Sequence, residues 1–265
     1  MAREWIDDKG YLTFAYNTRD TNYLELAYRL AESIKDTQKI NNISIAIDST
    51  TVQQLKTKHT EMFDKIIMRG KAHQRKDFSH QESAWDITPY KQTIKIESDM
   101  FMTSSIDHWW SIMDERDIVL CTDVFKHTGE LATDRTSRRV FDDNHLPNVY
   151  NAITYFRYTK ESKRFFDIVK MIHADWPWYR DSFLKNCRYE HPVTDEVFAI
   201  AAQIFGIEKC TLPFPVPAFL HMKNSMLDIP NTGSWWEYLA VESNRIGHYA
   251  QRLPVHYHRK NFYDR

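Results

Sequence analysis

Glu97-Ser98-Asp99 is the tripeptide best placed to do chemistry. It closes the strand-like run Gln92-Thr93-Ile94-Lys95-Ile96 and precedes Met100-Phe101-Met102 and a helical stretch. Side chains at i and i+2 just past a strand point the same way. Two carboxylates so placed can hold one divalent cation through oxygen ligands, leaving positions for a substrate diphosphate. The same residues also read as an ordinary acidic turn, so the rest of the chain must decide.

Three further groups suit a nucleotide ligand, each with a plainer alternative. Tyr16 and Asn17 follow Thr13-Phe14-Ala15 at a strand end, where a ring can stack on a base and an amide can read its edge; otherwise the tyrosine caps the sheet. Asp48 ends a second strand and can accept from an imino group or a ribose hydroxyl, or else cap a turn. His221 and Lys223 stand two apart on a strand and so face one way. His221 would then ligate a metal while Lys223 neutralises a phosphate oxygen; otherwise they are a strand-end pair. His256 and His258 form another such pair. They are set aside because no acidic or cysteine residue lies near them in sequence.

These residues need elements to carry them. Tyr11–Tyr16 reads as a first strand and Tyr23–Lys35 as an amphipathic helix, with Asp20 or Thr21 as its cap. Ile43–Ile47 is a second strand, so strand, helix and strand imply a parallel pair with a right-handed crossover. Ligands of such sheets sit beyond the carboxyl ends of the strands. Residues 49–63 read as a helix and Asp64–Tyr90 as a long polar loop carrying Arg69, Lys71, Arg75 and Lys76. Further strands are expected over Asp117–Thr122, Val149–Arg157 and Ala218–Lys223. Helices are expected over Ser105–Asp114, Lys160–Ala174 and, capped by Thr194, Asp195–Phe205. No repeat or linker interrupts this pattern, so 1–265 is expected to form one α/β domain with a central, mostly parallel sheet flanked by helices.

Composition narrows the function classes. With 35 basic and 36 acidic residues, no global field drives the chain onto nucleic acid or membrane, and any such affinity must be local. The three cysteines, Cys121, Cys187 and Cys210, stand far apart, as in a reduced intracellular protein. No apolar run approaches the ~20 residues of a membrane span, and a cytoplasmic location is expected. The six glycines form neither a GxGxxG turn nor a P-loop, so metal and side chains must carry any phosphates. A nucleotidyltransferase would be expected to carry a glycine-rich turn after strand one, and Asn17-Thr18-Arg19-Asp20-Thr21 has none. A nucleic-acid binder without catalysis would use the basic loops alone.

The run Pro89–Met100 resembles the metal-binding strand of GT-A-fold glycosyltransferases. The strand end Ala15-Tyr16-Asn17, Asp48, Thr194-Asp195-Glu196 and the late His221 come in the order those enzymes use. The resemblance implies transfer of a sugar from a nucleotide donor, UDP-sugar first, with Mn2+ or Mg2+ as cofactor. It implies Asp99 and His221 as metal ligands and Asp195 with Glu196 as the acidic residues near donor sugar or acceptor. Ala15, Tyr16, Asn17, Asp48, Lys91, Glu97, Ser98 and Lys223 would line the donor site. Glu97 stands where the family usually has Asp, which moves it towards ribose or a metal-bound water. More narrowly, Ile96–Met100, Leu146–Asn151, Tyr155-Phe156 and His221-Met222-Lys223 resemble glycosyltransferases of large tailed bacteriophages. Some enzymes of that kind attach sugars to hydroxymethylated pyrimidines in phage DNA. That implies a DNA acceptor and a host-cytoplasmic location. Local charge is compatible with it: Arg69, Lys71, Arg75 and Lys76 on one loop, with Arg135, Arg138, Arg139, Arg259 and Lys260 elsewhere, could hold a phosphate backbone, or else are basic loop residues that are simply solvated.

Overall fold

The computed structural model describes residues 3–70, 80–132, 138–221, 226–228, 237–242, 245–250 and 252–257, those from 226 to 250 by their backbone. The chain opens with β1 (Asp7–Ala15), α1 (Tyr23–Thr37) and β2 (Ile43–Ile47). Then come α2 (Thr57–Met62), β3 (Lys65–Met68), α3 (Ala84–Ile87), β4 (Tyr90–Ile96), β5 (Met100–Phe101) and α4 (Asp107–Met113). The middle holds β6 (Ile118–Cys121), β7 (Asp123–Phe125), α5 (Arg139–Asp143), β8 (Tyr150–Arg157) and α6 (Lys160–Ala174). It ends with α7 (Trp176–Phe183), α8 (Thr194–Phe205), α9 (Ile207–Cys210), β9 (Ala218–His221), β10 (Met226–Asp228), β11 (Glu237–Glu242), β12 (Arg245–Ala250) and β13 (Val255–His256).

The expected α/β architecture is present. The central sheet runs β3-β2-β1-β4-β8-β6. Three neighbouring pairs are parallel, β3–β2, β2–β1 and β1–β4, and β8 alone runs against the rest. Both faces are covered, as the alternation along β1 requires. Tyr11 and Ala15 pack with α1 residues Leu24, Ala27 and Leu30 and with Trp109 and Trp110. Leu12 and Phe14 face the opposite core, where Phe165, Phe166, Phe198 and Phe205 come from α6 and α8. Among the described residues, no helix is long and apolar enough to cross a membrane.

Local chemistry moved several boundaries. Asn22, immediately before α1, caps it by accepting from the Glu25 N–H at 3.2 Å, in place of Asp20 or Thr21. Thr194 is the first residue of α8, and Val193 precedes it without a side-chain cap. The helix expected over 49–63 is a 3-10 turn (Thr51–Gln54) followed by α2, separated by the extended Leu55 and Lys56. The stretch expected to be loop from Asp64 contains β3, a four-residue edge strand whose residues are exposed or half-buried. At four residues it is too short for a strand period to show, although three of the four are apolar.

Close packing is tight where β1 and β4 touch. A β-carbon on Gly10 would come within 2.5 Å of the Tyr90 ring, which is fully buried and tied to Ser44 Oγ at 2.7 Å through its hydroxyl. Gly10→Ala is therefore expected to destabilise the protein by about 1–3 kcal/mol through overpacking. Urea unfolding would read this as a lower midpoint, and an unchanged midpoint would show that the ring can yield.

A second, four-stranded sheet, β5-β13-β9-β7, begins directly after the acidic tripeptide. Antiparallel pairing sets His256 opposite Met100, and parallel pairing sets His256 beside His221. The peptide N–H of Tyr257 donates to the Asp99 carbonyl at 3.1 Å. Glu97-Ser98-Asp99 is thus the joint between the two sheets.

Candidate metal centre

That joint explains how three donors meet. Glu97 and Asp99 leave the end of β4, and β13 delivers His256 to them. His256 Nε2 lies 3.3 Å from Glu97 Oε2 and 3.3 Å from Asp99 Oδ2. One ligand atom from each residue falls within 4.8 Å of the others, the only such three-residue group among the described residues. Two carboxylates and an imidazole make a donor set suited to a divalent cation such as Mn2+. Asp99 and His256 are buried and Glu97 is half-buried. Burial pushes the His256 pKa down, against the pull of Glu97 and Asp195, which favours the neutral imidazole that a metal requires. The late histidine at the acid pair is therefore His256. His221 stands outside this set, with its Nδ1 3.1 Å from His256 Nδ1.

The centre opens into a cleft of about 460 Å³. Glu97, His221 and His256 line it from the sheet joint, Arg138 from just before α5, Tyr150 from the start of β8, and Asp195 and Glu196 from the start of α8, together with Tyr189. The antiparallel course of β8 makes this meeting possible, because its first residues lie beside the end of β4. The Glu97 N–H donates to the Ala152 carbonyl at 3.0 Å, and the Asn151 N–H donates to Asp195 Oδ1 at 2.8 Å.

Asp195 is held from both sides. Its Oδ2 accepts from Arg138 Nη1 at 2.9 Å. Arg138 is buried, lies 3.8 Å from each of the Phe141 and Tyr150 ring centroids, and also donates to Asn148 Oδ1 and the Val149 carbonyl. Expected among the basic surface residues, it is instead an internal clamp. Glu196 differs from its neighbour: it is 3% exposed, and its Oε2 has no hydrogen-bond partner. Burial, then the adjacent Asp195 charge, push its pKa up to about 7.

Beneath the cleft, Lys95 is wholly buried in β4. Its ammonium donates to Gln81 Oε1 at 2.7 Å and to the Asn151 carbonyl. Burial brings its pKa down to about 8, with Glu97 and Asp195 opposing. A lysine between Ile94 and Ile96, in a strand covered on both faces, was the signal available in sequence for this network.

Several residues expected at the donor site are otherwise engaged. Asn17 donates its amide to Asn22 Oδ1 and Gln54 Oε1, and its Oδ1 accepts from the Leu24 N–H at 2.8 Å, so it organises the start of α1. Asp48 is buried and accepts from the Thr51 N–H at 2.8 Å, the turn-capping alternative. Lys91 is exposed at the opposite end of β4, six positions before Glu97, and pairs with Asp8 at 2.7 Å. Tyr16 is half-buried with its ring edge-on to His80 at 5.3 Å. The charge of Arg69 opposes the rise that burial gives the Tyr16 pKa, and Arg69, itself half-buried, stands at the end of β3. Ala15 and Ser98 are buried at the ends of β1 and β4. Lys71, Arg75, Lys76, Arg135, Lys223, His258, Arg259 and Lys260 lie outside the described residues.

No protein-family model matches the chain, and no curated protein matches it in sequence. Among solved structures it is similar to mouse xyloside xylosyltransferase 1 in its apo form, with 11% identity and a TM-score of 0.55, over 95% of this chain and 97% of that one. At that identity the likeness is one of fold, and it runs the length of both chains. The apo form of glycosyltransferase GlyE from Streptococcus pneumoniae TIGR4 matches at 10% identity and TM-score 0.49, over 77% of this chain and 45% of that one. The apo bifunctional glycosyltransferase WbbM matches at 12% identity and TM-score 0.48, over 85% of this chain and 41% of that one. The chain spans less than half of either of these two proteins.

Proposed function

We propose that this chain is a metal-dependent glycosyltransferase that moves a sugar from a nucleotide donor to a hydroxyl acceptor. The observation that carries the reading is the meeting of Glu97, Asp99 and His256 at the mouth of a cleft that also holds Asp195 and Glu196. The fold shared with a xylosyltransferase supports it. Glu97, Asp99 and His256 would hold the cation, which supplies Lewis-acid stabilisation to the departing diphosphate. Asp195, with one oxygen on Arg138 and the other on the Asn151 N–H, orients the reacting groups. In a retaining course the leaving phosphate itself would take the acceptor's proton. Glu196 offers the unpartnered oxygen that meets the transferred sugar or the acceptor.

UDP with Mn2+ is the first probe. At a hundredfold excess over Kd, the pair is expected to raise the melting temperature by roughly 5 °C, and UDP alone by much less. A protein indifferent to both would sink the donor site. Hydrolysis measured across UDP- and GDP-sugars then identifies the donor. Comparing saccharides with hydroxymethylated DNA as acceptors tests the finer reading, in which the chain modifies phage DNA from the host cytoplasm. That reading rests on the bacteriophage resemblance and the basic residues Arg69, Lys71, Arg75 and Lys76 of the sequence. Transfer to a saccharide alone would end it and leave the transferase intact.

A further inference from the structure

The two histidines at the sheet joint have a division of labour that neither the sequence pattern nor the donor set assigns. Parallel pairing of β9 with β13 places His221 and His256 in register. Their Nδ1 atoms lie 3.1 Å apart, while the other nitrogen of His256 faces Glu97 and Asp99. Phe219 flanks both rings, with centroids 6.2 Å from His221 and 5.8 Å from His256, and Tyr150 stands 6.3 Å from His221. The rings therefore have little freedom to turn.

We propose that His221 is a positioning residue that accepts the Nδ1–H of His256 and so holds the Nε2 lone pair of His256 towards the cation. This rests on the metal site proposed above. A neutral imidazole carries one hydrogen. If Nε2 is to ligate, that hydrogen must be on Nδ1, and at 3.1 Å the facing nitrogen of His221 must accept it. His221 then carries its own hydrogen on Nε2. Two bare nitrogens at this distance would repel and two N–H groups would collide, so the pair has two neutral arrangements, and ligation selects one. A ligating histidine generally needs such an outer partner, and losing it lowers metal affinity by about 10–100-fold.

Mn2+ binding, read by the spin resonance of free Mn2+ and needing no sugar chemistry, tests this on the whole chain. His221→Phe is expected to weaken Mn2+ binding by about 10–100-fold. His221→Asn places an amide oxygen where Nδ1 was and is expected to restore affinity to within about threefold of wild type, since an amide oxygen accepts the same hydrogen. His256→Phe is expected to abolish binding. Wild-type affinity in His221→Phe would overturn the proposal, as would His221→Asn binding as weakly as His221→Phe, which would make the ring itself a ligand. A wild type that binds no Mn2+ would instead remove the metal site itself, and the pairing with it. Nitrogen-15 spectra of the unmutated protein loaded with Mg2+ provide a check that no folding defect can blur. They should show hydrogen on Nδ1 of His256 and on Nε2 of His221, and the reverse assignment overturns the proposal.

Discussion

Asp99→Asn is expected to lose metal-dependent nucleotide binding and to cut transfer by about a thousandfold or more, or about 4 kcal/mol of transition-state stabilisation. The change keeps the shape of the side chain and removes one anionic donor from the set with Glu97 and His256. The fold should survive, because the join between β5 and β13 uses the backbone carbonyl of Asp99, which accepts from the Tyr257 N–H, and not its carboxylate. Without metal, the variant should melt at least as high as wild type, since two neighbouring carboxylates repel. Melting with and without Mn2+ and UDP, beside a transfer assay, separates these effects. Transfer within tenfold of wild type would sink the mechanism proposed for this centre.

Glu196→Gln should change how stability depends on pH. The folded-state pKa of Glu196 is pushed up to about 7 by burial and by Asp195. Its ordinary value in an unfolded chain is 4.5. Between those values the folded protein binds more protons than the unfolded one, so this group lowers stability as pH rises through that window. Below pH ~4.5 it has no effect of this kind, and above ~7 its full cost of about 3 kcal/mol is present. Glutamine cannot ionise. The variant should match wild type near pH 4 and exceed it by up to about 3 kcal/mol at pH 8. Denaturant unfolding at the two pH values reads the difference directly, and equal gains at both would show that Glu196 ionises normally. The same protonation makes Glu196 a hydrogen-bond donor on the acid side of 7 and an acceptor on the alkaline side, so affinity for the transferred sugar is also expected to change across neutrality.

What the sequence determined by itself is the set of elements whose signals are local. The 3.6-residue spacing of Leu24, Ala27, Ala31 and Ile34 announced α1, and the apolar run Ile43–Ile47 announced β2 with the bounds observed. Strand, helix and strand in succession led to the parallel sheet. The acidic tripeptide was legible because both its residues and the strand it ends are contiguous. Tertiary structure decided what meets it. His256 is 157 positions from Asp99 and reaches it through backbone pairing between β5 and β13, which leaves no mark in side-chain spacing. The same is true of Arg138, whose charge looked like loop surface until Asp195, Phe141 and Tyr150 closed around it. Asn17 and Asp48 went the other way. Both stand at strand ends where ligands gather, yet orphan N–H groups at the starts of α1 and the Thr51–Gln54 turn lay closer and claimed them. Local periodicity reports which face of an element is buried, whereas a site is made by elements that meet from distant parts of the chain, and backbone hydrogen bonds that join them are nearly blind to residue type.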